Sequence, residues 1–225
     1  MDIIRPFYFM PDFIPRDYSS VKVSSSDFEN QAYKRYFGGG SAKWELRGAF
    51  QCYFLEKMGM QIFSSFLDIG CGPLRGGSHI IKYLNADMYQ GVDYNADFID
   101  VARTTVEQNP SLKIKKPQFQ VLQNFAFEQL AKRCDFALVF SVLNHCAPAE
   151  KTLFFEALPH ALRPLGRVYI THAYWFESTM ISAESLTVTK VMTKAHDIAL
   201  DLELSDWGWE ESESIFPILE LTLTG

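Results

Sequence analysis

A glycine-rich turn at residues 66–77, which reads FLDIGCGPLRGG, is the stretch of this sequence best suited to chemistry. An apolar run there meets Asp68 and then Gly70 and Gly72, and Pro73 suits the first turn of a following helix. Glycine adopts backbone angles that other residues avoid, and it lets a ligand lie against the main chain. A tight structural turn would use the same residues, so this pattern alone leaves both interpretations open.

Two later segments carry polar or aromatic residues where further strands should end. Asp93 closes the apolar segment YQGVD about twenty residues after the glycines, where a carboxylate can accept both hydroxyls of a ribose. Asn124 and Phe125 follow the next apolar segment and offer an amide for a base edge and a ring for its face. Asn124 by itself is equally consistent with a structural role. Since the carboxyl ends of parallel strands share one edge, the three segments together predict a nucleoside site.

The elements that must position these residues alternate regularly along the chain. Five strand-then-helix units predict a parallel sheet with helices on both faces, preceded by a helix over 42–58. A final strand, loop and strand over 199–207 and 215–223 predict an antiparallel edge hairpin. The predicted strands are 64–70, 88–94, 117–123, 135–143 and 166–174, and the predicted helices are 77–85, 97–109, 125–133, 149–164 and 184–199. The fold class is therefore α/β, with a seven-stranded, mostly parallel sheet.

Composition restricts the number of domains, the classes of binding partner and the location expected for this chain. The chain has 225 residues and 48% hydrophobic composition, which fits one sizeable domain. We assign residues 1–40 to an N-terminal arm and 41–225 to the domain. A net charge of -6 opposes sequence-independent nucleic-acid binding. The 4 cysteines lack metal-site spacing, and no apolar run reaches the ~18 residues that span a bilayer, so we expect a soluble, cytoplasmic protein with no membrane partner.

The charge beside the glycine turn separates two classes of nucleoside cofactor. A dinucleotide needs a pyrophosphate at the turn, whereas Asp68 would repel phosphate and attract an ammonium group. At this point the chain resembles the class I S-adenosylmethionine-dependent methyltransferases. LDIGCG at 67–72 is similar to their first motif, 89–103 to their acidic second motif, and 134–145 and 162–170 to later ones. The resemblance implies a Rossmann-like fold and S-adenosyl-L-methionine as the cofactor.

The resemblance also implies a set of cofactor-binding residues in the loops at one edge of the sheet. Asp68 would bind the methionine amino group, Asp93 the ribose, and Tyr94 the adenine face. The chain departs from the family at Leu74, where a third glycine is usual, and this should alter the shape of the pocket. The implied set is Asp68, Gly70, Cys71, Gly72, Asp93, Tyr94, Asn124, Phe125 and Ser141.

The methyl acceptor would meet the cofactor over the fourth and fifth strands. His145 and His172 lie there, and a pKa near neutrality suits a histidine to general-base catalysis. Each is equally consistent with a structural role, and we favour His145 as the base. Residues 141–144 read SVLN, so the segment typical of DNA amine methyltransferases is missing and no DNA partner is expected. Ser141 replaces the carboxylate of metal-dependent catechol-type enzymes, so no metal is expected.

Several function classes stay open at this point. The leading hypothesis is a methyltransferase that acts on a small molecule or a glycan. The alternatives are a protein or RNA methyltransferase whose partner surface includes the arm, a non-catalytic binding subunit with the same fold, and, more remotely, an oxidoreductase. Aromatic residues expected near the acceptor either shape its pocket or close the core: Tyr174, Trp175, Phe176, Trp207 and Trp209. The sequence does not predict an oligomeric state.

Overall fold

A single seven-stranded sheet organises the chain. The computed structural model describes residues 17–37, 41–173, 181, 185–192 and 218–224. The strand order is β3-β2-β1-β4-β5-β7-β6. The strands are β1 (Phe66–Ile69), β2 (Tyr89–Asp93), β3 (Gln118–Val121), β4 (Cys134–Val139), β5 (Leu162–Thr171), β6 (Leu186–Met192) and β7 (Ile218–Leu223). Strands β1 to β5 pair in parallel, and β7 runs antiparallel between β5 and β6, which confirms the predicted fold class.

The helices connect these strands and begin at residues that suit their first turn. They are α1 (Ser25–Glu29), α2 (Ser41–Lys57), α3 (Gly77–Tyr83), α4 (Ala96–Glu107), α5 (Pro110–Lys113) and α6 (Pro148–Ala161). The Asn95 side chain caps α4 because its Oδ1 accepts the main-chain N–H of Asp97 at 2.9 Å. Pro148 occupies the first turn of α6, where its missing N–H costs nothing.

Two hydrophobic clusters cover the two faces of the sheet, because alternate residues of each strand point to opposite sides. One cluster joins Phe54 of α2 to Tyr89 and Tyr169 of the strands. The other joins Leu67 of β1 to Phe154 of α6. Asp68 follows the buried Leu67 and lies on the α2 face, so its carboxyl group is surrounded by core residues.

Two predicted helices are wrong. Residues 125–133 contain only a 3-10 turn, Phe127–Gln129, because Asn124 and Phe125 both have φ of 53°, which a right-handed helix does not allow. Strand β6 occupies 186–192, the first half of the helix predicted over 184–199. Its β-branched residues pack well in a strand, and β7 offers a partner. The predicted edge pair therefore exists, but its outer strand is β6; the strand predicted over 199–207 lies outside the described residues.

The described part of the N-terminal arm packs across the start of α4. The side-chain amide of Asn95 donates to the carbonyls of Tyr18 at 2.7 Å and Val21 at 3.0 Å. The main-chain N–H of Val23 donates to Asp97 Oδ2 at 3.0 Å. These contacts hold residues 17–23 beside the loop that follows β2. The domain boundary at residue 40 stays a prediction, and no helix in the described ranges has the length and apolarity to span a bilayer.

Candidate functional site

The carboxyl edge of the parallel strands concentrates unusual backbone conformations. A positive φ is uncommon for any residue other than glycine and costs about 1 kcal/mol or more. Residues that persist in such conformations cluster at functional sites, because the surrounding structure must hold them there. The residues with positive φ in the loops after β1, β3, β4 and β5 are Gly70, Gly72, Leu74, Asn124, Phe125, Ser141 and His172.

The turn after β1 is fixed to the neighbouring strand by its main chain. The N–H groups of Gly70 and Cys71 both donate to the carbonyl of Val92, at 2.8 Å and 3.0 Å. A Cβ atom at Gly70 would lie 2.4 Å from the Val142 side chain, so no larger residue fits. Leu74 takes a φ of 64° at the family's third glycine position, so the left-handed turn persists there without glycine. Burial raises the pKa of the Cys71 thiol, which makes it a poor nucleophile.

Asp68 presents a buried carboxyl group directly before this turn. Its side chain is 4% exposed, and Tyr89 Oη donates to its Oδ2 at 2.7 Å. Burial raises the pKa of Asp68 to about 7, although the bond from Tyr89 lowers it. A cation beside this carboxyl would favour its ionised form. Sequence reasoning missed Tyr89, which the strand register places opposite Phe66, a residue whose side chain shares the face of Asp68.

Asp93 joins the loops that follow β1 and β2. Its Oδ2 accepts the N–H of Gly72 at 3.0 Å, and its Oδ1 accepts the N–H of Asn95 at 2.9 Å. Burial raises the pKa of Asp93 to about 6, and the main-chain bonds from Asn95 and Gly72 oppose that rise. Each carboxylate oxygen can accept a second hydrogen bond. The geometry is therefore compatible with a ribose whose hydroxyls donate to Asp93.

The ends of β2 and β3 bring three further predicted residues to the same edge. Tyr94 is 38% exposed, and its carbonyl accepts the side-chain amide of Gln123 at 2.8 Å. Asn124 is exposed beside it. Phe125 is half-buried, with its ring edge-on to Phe154 at a centroid distance of 5.2 Å. The residues predicted to flank an adenine therefore lie at the ends of the adjacent strands β2 and β3, with Phe125 anchored in the core.

Hydrogen bonds connect the ends of β4 and β5. The N–H of Ser141 donates to Thr171 Oγ1 at 2.9 Å, and that oxygen lies 3.0 Å from His172 Nδ1. Burial and, to a smaller extent, the positive charge of Arg75 lower the pKa of His172 to about 3. A histidine with so low a pKa is uncharged at neutral pH and is a weak proton acceptor.

His145 lies in a short 3-10 turn, Leu143–His145, and faces the N-terminal arm. The ring of Tyr18 meets its imidazole edge-on at a centroid distance of 5.2 Å. Asn144 is buried beside it, with its Nδ2 at 3.3 Å from His145 Nε2. The Tyr18 ring of the arm thus packs against the end of β4 at His145.

Among the described residues, no group of three or more His, Cys, Asp or Glu side chains could hold a metal ion. The aromatic residues predicted to shape the acceptor pocket, Tyr174, Trp175, Phe176, Trp207 and Trp209, lie outside the described residues.

The family model for a methyltransferase domain matches residues 67–168, which include the glycine turn, Asp93 and the ends of β3 and β4. Residues 67–168 therefore match a methyltransferase domain, and their fold is similar to that of the class I S-adenosylmethionine-dependent methyltransferases. The cofactor of this family is S-adenosylmethionine, as the sequence predicts. The domain's sheet order places the matched residues at the centre of the fold, with β1 between β2 and β4.

Solved methyltransferase structures share this architecture at low sequence identity. Magnesium protoporphyrin IX methyltransferase from Synechocystis with bound S-adenosylmethionine is 13% identical, with a TM-score of 0.58 over 88% of this chain and 94% of that one. A TehB-like methyltransferase from Corynebacterium glutamicum is 15% identical, with a TM-score of 0.59 over 89% and 100%. The N-methyltransferase NodS from Bradyrhizobium japonicum is 12% identical, with a TM-score of 0.53 over 89% and 99%. These likenesses confirm the methyltransferase fold.

The residues at the edge of this methyltransferase sheet fit the family's cofactor. S-adenosylmethionine carries an ammonium and a sulfonium, and the edge offers two buried carboxyl groups, Asp68 and Asp93, whose raised pKa values a cation would lower. Gly70 and Gly72 place no side chains in the turn that lies between Asp68 and Asp93. The individual assignments of the cofactor-binding and catalytic residues stay predictions.

Proposed function

We propose that the protein binds S-adenosylmethionine at the carboxyl ends of β1 to β4 and transfers its methyl group to a small-molecule or glycan acceptor. The observation that carries this proposal is the arrangement of Asp68 and Asp93 around the left-handed turn at Gly70 and Gly72. Asp93 accepts the N–H of Gly72 directly, so the ribose acid and the turn form one unit.

The chain's own residues divide the binding of the cofactor among them. Asp68 attracts the ammonium group, and Asp93 accepts the ribose hydroxyls. The turn at 70–72 lets the methionine part lie against the main chain, and Ser141 contributes its main-chain carbonyl. Tyr94, Asn124 and Phe125 flank the adenine. When bound, the cofactor supplies an activated methyl group on a sulfonium, so the protein's main task is alignment of donor and acceptor.

A neutral hydroxyl acceptor needs a base to remove its proton, and His145 is the better placed histidine. It lies beyond β4 beside Tyr18 and is half-buried, so it borders the space where an acceptor would enter. The low pKa of His172 makes it a weak base at neutral pH. We therefore assign proton removal to His145 and a positioning role to His172, whose Nδ1 lies 3.0 Å from Thr171 Oγ1.

A small acceptor is favoured by charge and by the position of the arm. The chain's net charge of -6 gives no general attraction for a nucleic acid. Tyr18 packs against His145 at the end of β4, and Asn95 binds the Tyr18 carbonyl, so the arm occupies part of the surface where an acceptor would approach. One structural relative, a magnesium protoporphyrin IX methyltransferase, is named for a small-molecule acceptor, in line with that preference.

Calorimetry with S-adenosylhomocysteine, the reaction's product, tests cofactor binding. We expect a Kd of about 1 μM or less, which corresponds to about 8 kcal/mol of binding free energy, and no comparable binding of NADH. Failure of S-adenosylhomocysteine to bind would reject the proposal, and a preference for NADH would favour an oxidoreductase.

Transfer of a radiolabelled methyl group into a cell extract, fractionated by size, tests the acceptor class. Label in the low-mass or glycan fractions is the expected result. Label in protein or RNA would support the alternative methyltransferase classes. Tight cofactor binding without transfer into any fraction would support a non-catalytic binding subunit.

A further inference from the structure

Positively charged side chains converge beside the ends of β4 and β5. Arg75 comes from the turn after β1, and its guanidinium lies over the Phe140 ring at 5.5 Å from the centroid. The same ring meets the His172 imidazole edge-on at 5.8 Å. Arg47 of α2 is buried, with 6% of its surface exposed. We call Arg47 and Arg75 the cationic group; His172, which is uncharged at neutral pH, lies beside it.

Two glycines bring the arginines of the cationic group together. A Cβ atom at Gly48, the neighbour of Arg47, would lie 2.2 Å from the carbonyl oxygen of Arg75. A Cβ atom at Gly76, the neighbour of Arg75, would lie 2.1 Å from Gln51 Oε1 of α2. Helix α2 therefore packs directly against the turn that follows β1. The main chain beside Arg47 is in contact with the main chain of Arg75.

The members of the cationic group influence one another electrostatically. Burial and the charge of Arg47 lower the pKa of Arg75 to about 10, although Asp68 opposes the shift. Burial lowers the pKa of His172, and both arginines add to that effect. Mutual repulsion at a buried place favours the binding of an anion. The net charge of the chain is -6, so this positive field is local.

The candidate site therefore has two halves of opposite character. Asp68 and Asp93 form an acidic half at the ends of β1 and β2, and the cationic group forms a basic half toward β4 and β5. The acidic half suits the cations of the cofactor. The basic half lies toward the ends of β4 and β5, where a methyl acceptor would meet the cofactor, and the Phe140 ring packs against Arg75.

We propose that the cationic group binds an oxyanion, a carboxylate or a phosphate, carried by the methyl acceptor. This inference rests on the proposed function and names the acceptor class more closely. A guanidinium presents a planar set of donors that matches the two oxygens of a carboxylate or phosphate. The acceptor would place its charged group at Arg75 and Arg47 and its nucleophilic atom toward His145.

Small aromatic probes test the basic half in protein saturated with S-adenosylhomocysteine. Benzoate and phenyl phosphate carry the two oxyanions, and benzamide is a neutral control of similar shape. We expect at least one anion to bind about tenfold more tightly than benzamide, measured by ligand-observed NMR titration. The tighter of the two anions identifies carboxylate or phosphate as the recognised group. Equal affinity for all three probes would overturn the proposal.

Substitution of Arg75 separates acceptor recognition from cofactor recognition. Arg75→Met should abolish the preference for anions and change S-adenosylhomocysteine affinity by no more than about threefold. Arg163→Met is the matched control, because Arg163 is an exposed arginine paired with Asp135 at the opposite edge of the sheet. It should leave both affinities unchanged. If Arg75→Met weakens S-adenosylhomocysteine and the anions equally, the arginine serves the cofactor's own carboxylate and the proposal fails.

Two further measurements keep the test decisive. Arg75→Lys keeps the charge but loses the planar donor set, so it should fold like the parent and lose part of the anion preference even if Arg75→Met does not fold. A Lys variant with the full preference of the parent contradicts recognition by the guanidinium.

The anion titration is also run without S-adenosylhomocysteine. Anion preference in a protein that does not bind S-adenosylhomocysteine would reject the proposed methyl transfer but retain the oxyanion site.

Discussion

Asp68 and Asp135 lie on the neighbouring parallel strands β1 and β4. Asp68 is near the carboxyl end of its strand and Asp135 near the amino end, and we call these two sides of the sheet its carboxyl edge and its amino edge. Asp68 is buried with a raised pKa and one bond from Tyr89. Asp135 accepts the N–H and the hydroxyl of Ser65 at 2.9 Å and 2.7 Å, and it pairs with Arg163 at 3.2 Å. Partial burial raises its pKa, but the bonds from Ser65 and Arg163 outweigh that effect and the net pKa is lowered. The surroundings of Asp135 stabilise its ionised form. The surroundings of Asp68 disfavour its ionised form, which a bound cation would stabilise.

The two edges should therefore affect folding stability in opposite directions as pH changes. The pKa values of Asp68 and Asp93 are raised above the ordinary value of about 3.9, so their stabilising effect is present at low pH and is lost as pH rises through about 6 to 7. The pKa of Asp135 is lowered, so its contribution is present at neutral pH and is lost as pH falls.

The largest expected difference between the edges concerns cofactor affinity. Asp93→Ala removes a carboxylate that would accept two ribose hydroxyls, each worth about 1.5 to 3 kcal/mol, so S-adenosylhomocysteine affinity should fall by about a hundredfold. Calorimetry provides the measurement, with Asp135→Ala as the matched control. The control should bind like the parent. Parental affinity in Asp93→Ala would remove the ribose assignment.

The pH dependence of binding offers a second way to separate the edges. If the cofactor's ammonium needs an ionised Asp68, then S-adenosylhomocysteine affinity should rise about tenfold or more between about pH 5 and about pH 8. Calorimetry in buffers of different ionisation enthalpy should show proton release at the lower pH. Asp68→Asn should bind more weakly at high pH and flatten the profile. A parental profile that is already flat would contradict an ionisable partner for the ammonium.

A third prediction concerns stability at the opposite edge. Asp135→Asn loses an ion pair and weakens the bonds from Ser65, so the free energy of unfolding at neutral pH should fall by about 1 kcal/mol. Because the native pKa is lowered, the difference from the parent should disappear in acid. Urea unfolding at two pH values measures it. Asp68→Asn should not lose stability at alkaline pH; an equal loss in both variants would mean that the edges do not differ.

The smallest effect is expected for Tyr89→Phe. The Tyr89 hydroxyl lowers the pKa of Asp68, so its removal should move the binding profile toward higher pH and weaken S-adenosylhomocysteine about threefold near neutrality. The same pH titration by calorimetry detects the shift. Phe119, which packs against the Tyr89 ring, provides a control through Phe119→Leu, which should leave the midpoint in place. An unchanged midpoint in Tyr89→Phe would show that the Tyr89 hydroxyl does not affect the pKa of Asp68.

Local patterns allowed much of the acidic half to be predicted. The glycine turn and Asp93 each end a short buried strand, so residue type and spacing were sufficient. The contacts of Arg75, Tyr89 and Tyr18 were not predictable in this way, because their partners come from distant parts of the chain. The hydrogen bond from Tyr89 to Asp68 depends on strand register, and the approach of Arg47 to Arg75 depends on helix α2 resting on the turn.

The errors in secondary structure have physical causes as well. Residues 125–133 have helix-forming types, but the left-handed backbone at Asn124 and Phe125 turns the chain before a helix can begin. Residues 186–192 lie beside β7, and pairing with that strand outweighs their helical pattern. Both errors arise where the neighbouring elements, rather than local propensity, decide the conformation.

The left-handed backbone at Ser141 has a consequence for how the protein could evolve. A residue with a side chain costs about 1 kcal/mol in that conformation, and glycine removes most of this strain. A single exchange to glycine could therefore raise tolerance to later substitutions that destabilise the fold while they alter acceptor choice. The loop that borders the acceptor thus also contains a source of mutational robustness, so a lineage could change its substrate without first rebuilding its core.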